Sequence, residues 1–109
     1  MKTVEQIFDA AKAGNLWAEH LIPNHADSGK KLENRTPIDN SLIGYIADGS
    51  EQDIDAAVRA ARSAFSDDLW AGKSPSEKRA VLLRWAQLIE EHAEELAALD
   101  CIDAGKPIS

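Results

Sequence analysis

The stretch SPSEKRAVLLRWAQLIEEHAEELAALDCIDAGKP, residues 74–107, carries start, stop and packing signals that agree on one long helix. Ser74 is a good N-cap, Pro75 sits where a missing N–H costs nothing, and Glu77 can reach back to the cap. At the far end Gly105 can take the left-handed conformation that closes a helix, and Lys106 suits the negative end of the dipole. Pro107 then forbids continuation. These signals predict a helix of roughly 28 to 30 residues, about 40 Å long at about 1.5 Å per residue. Within it Val81, Leu82, Trp85, Leu88, Ile89, Ala93, Leu96, Leu99 and Ile102 recur at three- and four-residue steps and share one stripe, which something must cover. The other face, with Lys78, Arg79, Arg84, Glu90, Glu91, Glu94, Glu95 and Asp100, reads as a solvated charged surface. No residue of this helix announces chemistry.

Upstream, Ser50 and Asp53 cap a second helix whose residues Ile54, Ala57, Val58, Ala61 and Phe65 form a stripe and which should end near Ser66. Its alanines, Ala56, Ala60, Ala61 and Ala64, make it thin enough for close approach to another element. The short connection from Asp67 to Lys73 predicts a helical hairpin with the longer helix, with Trp70 buried near the corner. Before it, Leu42-Ile43-Gly44-Tyr45-Ile46-Ala47 is the best strand in the chain, β-branched and aromatic. Lys31 to Arg35, across the turn Pro37-Ile38-Asp39-Asn40-Ser41, should pair with it as an antiparallel hairpin, and a further strand is expected near Leu21. Thr3 to Gln6 is another capping box, opening a short helix through Val4, Ile7, Phe8 and Ala11 that Gly14 ends. The fold class is therefore α+β and mainly helical: a short N-terminal helix, a small antiparallel hairpin and a long helical hairpin. Residues 1–19 read as an N-terminal helical extension and 20–109 as the main body.

A chain of 109 residues fits one domain with a modest core. The net charge of -7, with 12 Lys and Arg interspersed among 19 Asp and Glu, argues against a nucleic-acid partner, because phosphate binding needs clustered cations. No apolar run reaches a membrane span and the opening residues lack a signal-peptide core, so the sequence reads as cytoplasmic, with no membrane partner. Cys101 is the one cysteine, which excludes an internal disulfide and a multi-cysteine metal site. Its neighbours Asp100 and Asp103 would raise a thiol pKa rather than activate it, so it reads as a packing thiol. His20, His25 and His92 share no ligand spacing and are assigned to neither transition-metal binding nor base catalysis; His92, near the stripe, reads as a partly buried structural residue.

The ordered set of Thr36-Pro37-Ile38-Asp39-Asn40-Ser41-Leu42-Ile43-Gly44, Ile54 to Phe65, Trp70, Ser74 to Arg79, Ile89 to Ala97 and Asp103-Ala104-Gly105-Lys106-Pro107 resembles the amino-terminal part of an NAD(P)-dependent aldehyde dehydrogenase. Each piece alone is weak; together and in order they are specific, covering about Leu21 to the end. The turn departs from the family's usual Asn-Pro-Ala-Thr-Gly-Glu, and Asp100-Cys101-Ile102 stands where Glu-Thr-Leu is common. The resemblance implies that 20–109 is the N-terminal part of the α/β coenzyme-binding domain, and that NAD or NADP belongs only to the full-length context. In the family an aldehyde is oxidised through a cysteine thiohemiacetal, hydride transfer and deacylation, with a glutamate base and an asparagine at the oxyanion. All of those residues lie beyond Ser109, so the resemblance implies no catalytic or cofactor-binding residue here and no activity for the 109 residues alone. It does imply a candidate monovalent-cation site at Asp103 with the carbonyls of Asn34 and Arg35, oxygen ligands of the kind hard cations take. The alternative is helix-end hydrogen bonding by Asp103. A second function class stays open: a truncated, stand-alone helical module that associates with a partner or with itself. Both readings expect apolar stripes that exceed what the chain covers, and hence either the remainder of a dehydrogenase or self-association as partner.

Overall fold

A computed structural model describes residues 2–26 and 29–107. The elements follow the order α1 (Val4–Lys12), β1 (Leu16–Ala18), β2 (Lys31–Arg35), β3 (Leu42–Ala47), α2 (Glu51–Ser66), α3 (Pro75–Glu91) and α4 (Ala93–Ala104). Three capping boxes form as their sequences specify. Thr3, Ser50 and Ser74 each accept from the backbone N–H three residues on, and Gln6, Asp53 and Glu77 return the bond. Each box satisfies two N–H groups that a helix start leaves orphaned. The Ser74 N–H bond to Glu77 also holds that carboxyl below its ordinary pKa.

β2 and β3 pair antiparallel, from Lys31 opposite Ala47 to Arg35 opposite Leu42, with a register shift at Asn34 and Arg35. The turn between them is closed from within: the Thr36 N–H donates to the Ser41 carbonyl and the Ser41 N–H to Asp39 Oδ1. Asn40 takes φ +61°, which asparagine tolerates better than most residues with a Cβ. The expected strand near Leu21 is not there. The third strand is β1, at Leu16–Ala18, and it pairs parallel to β3, so the sheet is mixed, with order β1-β3-β2. Gly44 explains the placement: a Cβ there would run into the backbone of Leu16. Only glycine lets the two backbones approach so closely.

The single long helix expected from Ser74 to Gly105 is interrupted at His92, whose φ of −110° and ψ of 17° leave the helical region and separate α3 from α4. Beyond the break the chain does what the sequence predicts: Gly105 closes α4 with φ +71°. The core sits where α1, β3 and α4 meet, with Ile7, Ala11, Ile43, Ala98 and Ile102 buried and Val4, Phe8, Leu16 and Leu99 packed around them. The α1 helix thus lies against α4 and β3.

The helical hairpin does not close. No side chain of α3 is buried, and α2 and α3 form no packed pair. Trp70, expected in a buried corner, is 45% exposed; its ring is instead approached by the Lys78 ammonium at 5.9 Å. A short connection does not oblige two amphipathic helices to pack, and the apolar faces of both are left in solvent.

Candidate functional site

Helix α4 ends with carbonyls that have no partner within the helix, a general property of helix C-termini. The hairpin supplies one. The Thr36 hydroxyl, buried at the start of the turn, donates to the Ile102 carbonyl at 2.6 Å and accepts from the Ile38 N–H at 3.3 Å. That bond sets the end of β2 beside the last turn of α4. Two residues back along β2 and one residue on along α4, the Asn34 side-chain amide donates to Asp103 Oδ1 at 2.9 Å.

The resemblance implies Asp103 with the carbonyls of Asn34 and Arg35 for a cation; the fold joins Asn34 to Asp103 through the Asn34 side-chain amide. Arg35 lies between Asn34 and the anchored Thr36, so its backbone follows the same seam, while its side chain turns away. Its guanidinium donates to Glu33 Oε2 at 2.9 and 3.1 Å and to the Asn40 carbonyl at 3.1 Å. The Asn34 amide engages one of the two Asp103 carboxylate oxygens. Asp103 thus reaches across to the strand rather than back onto its own helix end.

A second cluster stands at the start of α2. Asp53, 2% exposed, accepts from the Ser50 N–H at 2.9 Å and from His25 Nε2 at 2.6 Å, and His20 Nε2 lies 3.9 Å from the oxygen that takes the Ser50 bond. The Ser50 N–H, followed by the His25 bond, holds this carboxyl far below the usual carboxylate range. His20 Nε2 itself is buried without a hydrogen-bond partner. Sequence reading saw the cap and missed the histidines, which lie far upstream of Asp53 in the chain and carry no ligand spacing of their own. The arrangement tethers the segment before β2 to the first turn of α2.

Neither cluster is a catalytic constellation. Cys101 is half-buried on α4, and among the described residues no group of three His, Cys, Asp or Glu side chains could hold a metal ion. The described residues include no helix long and apolar enough to cross a membrane. One strand-to-helix turn, Asp48 to Ser50 between β3 and α2, has the topology that could face a dinucleotide. Its helix N-terminus is capped from within, the Ser50 N–H by the Asp53 carboxylate and the Asp53 N–H by the Ser50 hydroxyl.

The largest unpartnered features are apolar. On α2, Ile54, Val58 and Phe65 are exposed, the last at 72%, and Val58, Ala61, Arg62 and Phe65 line an open depression. On α3, Val81, Leu82, Trp85 and Leu88 are exposed along one face, with Trp85 at 62%. Faces of this kind mark surfaces built to be covered.

Comparison with known proteins supplies the context. The model of the aldehyde dehydrogenase family matches residues 24–109. The chain is 44% identical over 80 residues to aldehyde dehydrogenase 1 of Tanacetum cinerariifolium, a match covering 73% of the chain and 16% of that protein. It is 40% identical over 83 residues to aminoacetaldehyde dehydrogenase of Pseudomonas aeruginosa, covering 76% and 17%. With the NADP/NAD-dependent aldehyde dehydrogenase PuuC of Escherichia coli it shares 42% identity over 102 residues, covering 89% and 21%. The chain thus spans about a fifth or less of the length of these relatives.

Proposed function

The chain belongs to the aldehyde dehydrogenase family, and from that premise we propose that it serves as the amino-terminal portion of an enzyme oxidising an aldehyde to a carboxylic acid with NAD or NADP, and is inactive alone. One observation carries this reading: large apolar side chains of α2 and α3, from Ile54 to Phe65 and from Val81 to Leu88, stand in solvent. A remainder several times the length of this chain, as its relatives have, would cover them. The nucleotide then binds in that remainder.

The direct test is an assay of the pure 109-residue chain with NAD or NADP and a panel of aldehydes. No turnover is expected, and nucleotide-dependent oxidation would overturn the claim of inactivity. Reading the gene beyond the codon for Ser109 tests the other half: the reading requires an in-frame dinucleotide-binding region, and an immediate stop contradicts it.

The same proposal gives Asp103, with the carbonyls of Asn34 and Arg35, a monovalent cation. What supports it is the seam itself, where the Thr36 and Asn34 bonds hold strand end and helix end together beside the Asp103 carboxylate, a hard oxygen donor. A potassium or sodium series in thermal unfolding tests it; stabilisation that Asp103→Ala abolishes is expected, and indifference to the cation refutes it. A cytoplasmic setting belongs to this proposal too and is checked by fractionation. The exposed faces favour one further reading, a stand-alone module that associates with itself.

A further inference from the structure

No further inference is drawn: the strongest candidate, the Asp53 carboxylate between His25 and His20 at the first turn of α2, is spent on capping that helix and tethering the preceding segment, and its side chains form no group able to hold a metal ion.

Discussion

Two halves of this molecule both place large apolar side chains on helices, and these meet opposite fates. In the corner where α1, β3 and α4 converge, Ile7, Ile43, Ala98 and Ile102 are each exposed by no more than 3%. Along the arm made by α2 and α3, residues of the same kind at the same spacing remain in water, Phe65 at 72% and Trp85 at 62%. Capping boxes open α1 in the corner and both helices of the arm, while α4 packs into the corner with no side-chain cap at its start, so the quality of the caps does not separate the two halves. What separates them is whether a second surface is within reach. A helical stripe states that a face is to be covered, and says nothing of what covers it or whether the cover lies in the same stretch of chain.

The corner is the place to break the contrast most visibly. Ile102→Ala should destabilise the chain by about 2–5 kcal/mol, the range for emptying a buried aliphatic site, measured by urea unfolding followed by far-ultraviolet circular dichroism. A cost near zero would mean that the corner is no better packed than the arm. Gly44→Ala strikes the same region through the backbone and should cost about 1–3 kcal/mol as β1 is pushed off β3. Loss of amide protection at Leu16 to Ala18, with β2 and β3 still paired, would be its signature.

Where the arm joins the body, the expected effect is a pH dependence. Asp53 has a folded pKa below its unfolded one, so its contribution is present above the unfolded value of about 3.9 and is lost as pH falls below it. Asp53→Asn should therefore flatten the acid limb of the stability profile below about pH 4, while a limb of unchanged slope would remove Asp53 from the acid transition. Glu77, Glu95 and Asp39, also lowered, keep the limb from vanishing. The smallest effect belongs to the arm itself. Trp85→Ala should change the stability of a monomeric 109-residue chain by no more than about 0.5 kcal/mol, as at other exposed sites. A cost of about 3 kcal/mol or more would place Trp85 in a core.

Local chemistry was legible at the three capping boxes and at the end of α4. Thr3, Ser50, Ser74 and Gly105 act where their side chains, or the lack of one, specify. The β2–β3 hairpin followed from its strands and turn in the same way. The misplaced strand had a tertiary cause: Leu16 to Ala18 is too short and aperiodic to declare itself, and becomes a strand because Gly44 admits it beside β3. The break at His92 was hidden because good helix formers lie on both sides of it and no proline or glycine marks the spot. Trp70 and the helical hairpin were misread for a related reason. A short connection usually brings amphipathic helices together, but it does not oblige them to pack.

The two polar clusters divide likewise. Asn34 and Asp103 were paired beforehand only through the family resemblance; nothing in their spacing, 69 residues apart, joins them. Nothing in the sequence marks Thr36, which holds that seam by its bond to the Ile102 carbonyl. For His20 and His25 the available signal was Asp53 itself, a carboxylate certain to be held at a helix start and so able to collect imidazoles, but the fold alone decides which ones arrive.

Whether the arm awaits the rest of a dehydrogenase is tested most directly by sedimentation velocity of the purified 109-residue chain over a concentration series. The apolar faces of α2 and α3 should make it associate, with a weight-average sedimentation coefficient that rises with concentration. A rigid monomer that unfolds cooperatively at high concentration would contradict this, and would make the chain a finished domain in its own right.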